Sequence, residues 1–316
     1  MNKKLTHPQI QDFISAHRLP DKFFRLINDH YSPLAEWLIK KRQPGRTFLL
    51  GINGAQGTGK TTLAAYLQLA LEQGCGWRVA ILSIDDFYLT KSERMQLAEE
   101  VHPLLATRGV PGTHDIQMVT DCIERLGTLE SNETMALPRF DKSMDDRAKS
   151  DSWPTAGGPI DLIILEGWCV GSVPQSKEAL REASNDLEAH QDSSGDWRLY
   201  VNEQLKGSYA ELFAQLNALV FLQAPDFDAI YRWRVEQEEK LARISGHGAA
   251  GILNREQIID FIQHYERLTR ANIATLPETA DVTFELDDSH DCVRSRYTNS
   301  ARSSTSNPPT PLKKPL

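Results

Sequence analysis

The run Thr47-Phe48-Leu49-Leu50-Gly51-Ile52 leads, through Asn53, into Gly54-Ala55-Gln56-Gly57-Thr58-Gly59-Lys60-Thr61. No other stretch constrains the fold as strongly. A short apolar run ending in glycines reads as a strand buried on both faces, as in a parallel sheet. The eight residues after Asn53 match G-x-x-x-x-G-K-[ST] without a gap. Glycines at those positions let the backbone bend so that its N–H groups point inward at phosphate oxygens. Residues 61–73 read as an amphipathic helix, whose positive end adds to the attraction. Lys60 is then placed to reach the β and γ phosphates, and the Thr61 hydroxyl to bind Mg²⁺. Residues 54–61 together with Thr62 are the expected cradle for a nucleoside triphosphate. A glycine-rich turn that binds nothing is the bland alternative, and the strand before and helix after the motif argue against it.

Further short apolar runs follow at residues 78–84, 161–165, 218–222 and 282–286, with helical periodicity between several of them, notably 227–244 and 255–272. Strands alternating with helices predict an α/β fold of the P-loop NTPase type: a parallel sheet covered by helices on both faces, with lid elements and an N-terminal helical extension. Residues 1–45 carry Phe13, Ile14, Phe23, Phe24, Leu26, Ile27, Leu34, Trp37 and Leu38 at helical spacing, broken at Pro20 and Ser32-Pro33, and form that extension. Residues 46–290 form the nucleotide-binding domain. Within it, 143–159 read as a polar loop near the active edge and 175–197 as a surface insertion. Residues 291–316 lose the apolar pattern and read as a disordered tail.

Ligands of a parallel sheet bind at the carboxyl ends of its strands. Asp85-Asp86-Phe87-Tyr88 follows the second expected strand and Glu166-Gly167-Trp168 the third. A carboxylate there can orient an attacking hydroxyl and take its proton, and Mg²⁺ needs a further oxygen ligand or a carboxylate holding its waters. Asp85 is the candidate base and Glu166 the candidate for the metal shell. Asp86 has two open readings, as a second acid or as a helix N-cap.

Composition narrows the partners. A net charge of −8 over 316 residues shows no basic footprint, which excludes nucleic acid as the expected partner. Cys75, Cys122, Cys169 and Cys292 are widely spaced, against both a zinc site and a disulfide framework. The N-terminus lacks the apolar run of a signal peptide, and no stretch is long and apolar enough to span a membrane, so a cytoplasmic setting is expected. Nothing in the chain speaks to oligomeric state.

The phosphate loop, Asp85-Asp86-Phe87-Tyr88 and Glu166-Gly167 together resemble the phosphoribulokinase/uridine kinase/pantothenate kinase group of P-loop kinases. Within that group, three further runs resemble the D-glycerate 3-kinase family of plants and fungi, with bacterial relatives. They are Arg108-Gly109-Val110-Pro111-Gly112-Thr113-His114-Asp115, Leu137-Pro138-Arg139-Phe140-Asp141-Lys142-Ser143 and Leu165-Glu166-Gly167-Trp168-Cys169-Val170-Gly171. The likeness covers roughly residues 46–290. Where the family often has glycines after the lysine, this chain has Met144-Asp145-Asp146-Arg147. The resemblance implies an ATP-dependent kinase using Mg²⁺, with Asp85 as base, Glu166 at the metal site and D-glycerate as acceptor.

An acceptor with a carboxylate calls for a cation, and arginine suits it. Arg108, Arg139, Lys142 and Arg147 lie in the right segments. His114 is read either as a ligand of a substrate hydroxyl or as a bond to its own loop. The resemblance also implies lid arginines at Arg232 and Arg234, with Arg232 catalytic. Pairing with Glu236, Glu238 and Glu239 on one helix face is the alternative. Two other activities stay open from the residues: transfer to a nucleoside or pantothenate-like acceptor, and a nucleotide-dependent switch.

Overall fold

The computed structural model describes residues 4–245 and 255–298. Its strands are β1 (Phe48–Gly54), β2 (Val79–Ser83), β3 (Thr134–Ala136), β4 (Phe140–Asp141), β5 (Asp146–Arg147), β6 (Thr155–Gly157), β7 (Leu162–Gly167), β8 (Ala218–Gln223), β9 (Val282–Leu286) and β10 (Cys292–Tyr297). Its helices are α1 (His7–Ala16), α2 (Phe23–Leu26), α3 (Ser32–Lys41), α4 (Lys60–Cys75), α5 (Lys91–Glu100), α6 (Ile116–Gly127), α7 (Asp186–Gln191), α8 (Asp196–Lys206), α9 (Ser208–Ala214), α10 (Phe227–Ser245) and α11 (Arg255–Thr279).

Six strands form one sheet in the order β10–β9–β8–β1–β7–β2. The pairs from β9 to β2 are parallel and β10 is antiparallel to β9. Successive side chains of a strand face opposite ways, and here both faces are dry. Leu49, Ile163, Leu165, Leu219 and Phe221 enter one core with α6, α8 and α9. Phe48, Leu50, Leu162, Ile164, Val220 and Leu222 enter the other, with α1, α3, α4 and α10. α11 spans both, with Ile258 and Ile262 in the second core and Leu268 and Leu276 in the first. The N-terminal helices therefore belong to the sheet's packing: Ile10, Phe13, Ile27, Leu34 and Leu38 are buried there. Each such side chain stabilises the fold by about 1.5–3 kcal/mol.

Two expectations need correction. The tail expected from residue 291 begins instead with β10, whose pairing to β9 extends the sheet; residues 299–316 lie outside the described residues. The stretch 175–197 is not confined to the surface. Leu180, Leu187 and Trp197 are buried, as are Glu188 and Asp192. Arg267 of α11 donates to Glu188 at 2.7 Å and Arg198 to Asp192 at 2.8 Å. Charged groups enter an interior when paired, so a polar composition there marks buried ion pairs rather than a solvated insertion.

Between β2 and β7 the chain builds two small ribbons, β3 with β6 and β4 with β5. The second covers the carboxyl end of β2 and carries the segment expected to hold the acceptor.

Candidate active site

β1 ends at Gly54 in the middle of the sheet, and α4 begins at Lys60. The turn between them needs left-handed backbone at Gly57 (φ 84°) and Gly59 (φ 93°), a conformation that favours glycine. Gly59 offers no side chain to cap α4, so the first N–H groups of that helix keep their attraction for an anion. Lys60 Nζ donates to the Ala55 carbonyl at 3.1 Å, folded back over the loop. Burial pushes the Lys60 ammonium down, against the pull of Glu166 and Asp85.

β7 lies directly beside β1, opposing Ile52 to Glu166. That register brings a strand residue to the loop: Thr61 Oγ1 donates to Glu166 Oε1 at 3.0 Å, and Glu166 is 5% exposed. A buried carboxylate beside a helix-terminal hydroxyl is a donor set that fits Mg²⁺, a hard cation that prefers oxygen. The chemistry of Gly54, Ala55, Gln56, Gly57, Thr58, Gly59, Lys60, Thr61 and Thr62 fits the phosphates.

A cavity of about 460 Å³ opens beside Gly59 and Thr62. Leu19 and Phe23 of the N-terminal segment wall it on one side, and Phe284 and Leu286 of β9 on the other. At its rim His290 bonds the Gly57 carbonyl at 3.2 Å and stacks on Trp233 with ring centroids 4.2 Å apart. Trp233 is buried against the loop, as packing rather than as a base platform.

β2 ends in a 3₁₀ turn (Ile84–Phe87) that presents both aspartates. Asp86 is not a helix cap. It accepts from the Phe140 N–H at 3.2 Å and from Arg139 Nη1 at 3.2 Å, which seats β4 on the turn. Burial pushes its carboxyl up, over the opposing pull of Arg139. Asp85 accepts from the Tyr88 hydroxyl at 2.8 Å and from Lys142 Nζ at 3.2 Å. Burial acts to raise its pKa, but Lys142 and Tyr88 outweigh it and hold the carboxyl below its usual range. Asp85 is thus ionised at neutral pH.

The β4–β5 hairpin has an internal logic. Asp141 Oδ1 accepts from the Ser143 and Met144 N–H groups at 2.9 and 3.2 Å and closes the turn. Asp145 stands at φ 55° and is gripped from below by Arg94 and Arg108. Trp168 donates to the Gly109 carbonyl at 3.0 Å, and Tyr88 bridges to His114 across an isolated β-bridge. The three family-like runs therefore converge on Asp85.

The four expected acceptor cations reach this edge, each with a carboxylate partner: Arg108 with Asp145, Arg139 with Asp86, Lys142 with Asp85, and Arg147 with Asp115 at 2.7 Å. His114 stacks on Tyr88 with centroids 4.6 Å apart, and its Nδ1 bonds the Tyr209 hydroxyl at 2.7 Å. Burial lowers its pKa to about 4, so it is neutral. Its Nε2 is buried with no hydrogen-bond partner, and its one described side-chain hydrogen bond runs to Tyr209 of α9 rather than to its own loop. Arg232 pairs with the exposed Asp288, and Arg234 with Glu238 while lying over Phe261. The Arg234 pair is an i, i+4 contact along one face of α10. For Arg232 no described hydrogen bond joins it to the phosphate loop.

Sequence reasoning missed Arg94, Asp145 and Tyr209. Arg94 sits in Lys-Ser-Glu-Arg-Met-Gln, which reads as a solvated helix face, yet it is 1% exposed. Tyr209 receives the Gly112 N–H at 2.9 Å and sets His114; its only signal was an aromatic in an amphipathic helix.

The sheet order, the loop at the head of α4 and the carboxylates at the neighbouring strand ends place the molecule among the P-loop kinases, ATP-dependent phosphotransferases that use Mg²⁺ and a hydroxyl acceptor. No family model matches the chain. It is 34% identical over 240 residues to an uncharacterised kinase, mug58, of Schizosaccharomyces pombe, covering 73% of this chain and 83% of that one. It is 31% identical over 235 residues to the chloroplastic D-glycerate 3-kinase of Arabidopsis thaliana, covering 72% of this chain and 48% of the plant protein, so it spans about half the length of that relative. A solved D-glycerate 3-kinase from Cryptococcus neoformans var. grubii superposes with a TM-score of 0.70 at 26% identity, over 85% of this chain and 99% of the other. The chain belongs to the D-glycerate 3-kinase family of P-loop kinases. No described helix is long and apolar enough to cross a membrane.

Proposed function

We propose that the acceptor is D-glycerate and that Asp85 is the base that receives its hydroxyl proton. The observation that carries this reading is the convergence of four cations, Arg108, Arg139, Lys142 and Arg147, on the edge that holds Asp85. A small hydroxy acid needs both features: a cation for its carboxylate and a base for its hydroxyl. The names of two family members agree with it.

The residues divide the work as follows. The N–H groups of 54–61 and the head of α4 hold the phosphates. Lys60 exchanges the Ala55 carbonyl for phosphate oxygen. Mg²⁺ bound at Thr61, with Glu166 beside it, would neutralise charge on the β and γ oxygens. The cavity walled by Leu19, Phe23, Phe284 and Leu286 accommodates the nucleotide base. Asp85 orients the acceptor hydroxyl; as its oxygen bonds to phosphorus, the bond to the leaving ADP oxygen breaks and the hydroxyl proton passes to Asp85. Arg232, 49% exposed in its pair with Asp288, is proposed to exchange that partner for the nucleotide and stabilise the transferring group.

A coupled assay of ADP release over a panel of acceptors tests the reading. D-glycerate is expected to raise ADP release well above the acceptor-free rate, whereas uridine and pantothenate leave it at background. No rise with D-glycerate would refute the assignment. A rise with no acceptor at all would point to a hydrolytic switch.

A further inference from the structure

Both oxygens of the Asp85 carboxylate are engaged: Oδ1 by the Tyr88 hydroxyl at 2.8 Å and Oδ2 by Lys142 Nζ at 3.2 Å. An ionised carboxylate offers about four acceptor sites, so a hydroxyl can reach Asp85 beside both partners. An ammonium held against the carboxylate nevertheless weakens it as a base, and the partner that leaves more easily decides how strong a base it becomes. Tyr88 is 3% exposed, stacked on His114 and set edge-on to Phe140. Its departure would break a packed cluster. Lys142 differs in every respect. Its side chain is 61% exposed, it sits at the tip of the β4–β5 turn, and the bond to Asp85 is its one described polar contact. Exposed ion pairs of this kind are weak.

The other cations have less freedom. Arg139 also donates to the Pro138 carbonyl at 2.8 Å, Arg147 also to the Tyr88 carbonyl at 3.3 Å, and Arg108 lies over the Phe140 ring at 5.5 Å. The turn beneath Lys142 is held independently, by the bonds of Asp141 and by the grip of Arg94 on Asp145. Its four-carbon stem can swing without moving the backbone.

We propose that Lys142 is a positioning residue that passes from Asp85 to the acceptor's carboxylate, so that the acceptor's own anion frees the base that will deprotonate it. This rests on the reading of the acceptor as a hydroxy acid. The exchange is carboxylate for carboxylate, so the ammonium is never left without an anion. Withdrawing the cation from Asp85 also strengthens it as a base, because Lys142 is the foremost group holding that carboxyl down against burial. Anchoring at one end of the substrate thereby drives chemistry at the other, the pattern in which remote binding raises kcat rather than only lowering KM.

A neutral acceptor of the same length lacks the anion that removes Lys142. Glycerol should therefore be poorer in kcat and not only in KM. The test measures kcat and KM for D-glycerate and for glycerol, at saturating Mg-ATP, in the wild type, Lys142→Met and Lys142→Arg. The wild type is expected to favour D-glycerate in kcat by roughly tenfold or more, within the span of a general-base effect. Lys142→Met is expected to bring the kcat ratio to within about threefold of unity, and Lys142→Arg to restore much of it. An increase in the KM for D-glycerate at unchanged kcat would make Lys142 an ordinary binding cation and overturn the proposal. So would an equal loss of kcat for both acceptors. A wild type inert toward D-glycerate overturns the acceptor assignment and this proposal together, whereas a wild type that turns it over beside a Lys142→Met enzyme with an unchanged kcat ratio overturns the proposal alone.

Discussion

Arg94 donates to the backbone oxygen of Asp145 at 2.9 Å from a side chain that is 1% exposed. The same guanidinium reaches the Leu89 and Ala106 carbonyls at 3.2 and 2.8 Å, so one buried cation ties α5, the 3₁₀ turn Pro103–Ala106 and the β4–β5 hairpin together. The acceptor-side cations Arg139, Lys142 and Arg147 depend on that hairpin. Replacing Arg94 by Met strands three carbonyls and leaves Asp145 to Arg108 alone. A loss of about 2–4 kcal/mol in stability is expected, together with a rise in KM for the acceptor. Affinity for Mg-ATP should change little. Urea unfolding and separate titrations of the two substrates check this, and an equal weakening of both would contradict the division between them.

Asp85→Asn keeps the shape of the base and removes its proton affinity. Its kcat is expected to fall by about 10²–10⁴, while Mg-ATP binding, measured by calorimetry, persists. A variant that retains more than about a tenth of wild-type kcat would remove Asp85 from the role of base.

The Thr61–Glu166 pair predicts a graded metal phenotype. Thr61→Ser keeps the hydroxyl and should keep most of the activity. Thr61→Ala and Glu166→Gln should each cost about 10- to 100-fold in metal affinity or rate, visible as a shift of the Mg²⁺ titration to higher concentration. An unshifted titration in Glu166→Gln would separate that carboxylate from the metal.

His114 gives the fold a pH dependence. Burial depresses its pKa from 6.5 to about 4, so the unfolded chain takes up a proton that the folded one refuses. Stability is therefore full above about pH 6.5 and declines as pH falls toward about 4, by up to about 3 kcal/mol. In His114→Asn that part of the slope should vanish. Chemical denaturation of both proteins between pH 7.5 and 4.5 reads the difference, and parallel curves would mean that His114 is protonated without cost.

The phosphate loop and the five parallel strands were legible because their signals are local. A buried strand is an apolar run, and a loop that wraps phosphate must place glycine where φ is positive. Asp85 and Glu166 were legible for a related reason: once the strands are known, the residues that follow them lie on the ligand edge. β10 was not, since Cys292-Val293-Arg294-Ser295-Arg296-Tyr297 is an edge strand with little apolar content, held by its pairing to β9. Nor were Glu188 and Asp192, whose burial depends on Arg267 and Arg198, distant or unmarked in the chain.

Periodicity and the backbone freedom of single residues were enough to place the strands of the sheet, the glycine-rich loop after β1 and the carboxylates at the strand ends. Only the tertiary structure decided how the cations are spent. Arg94 and Arg108 hold Asp145, Arg139 holds Asp86, Arg234 turns to Glu238, and Lys142 rests on Asp85 through one exposed contact. A charge looks the same in a sequence whether it is structural or free to act. Its partner, its burial and its room to move are properties of the packed chain.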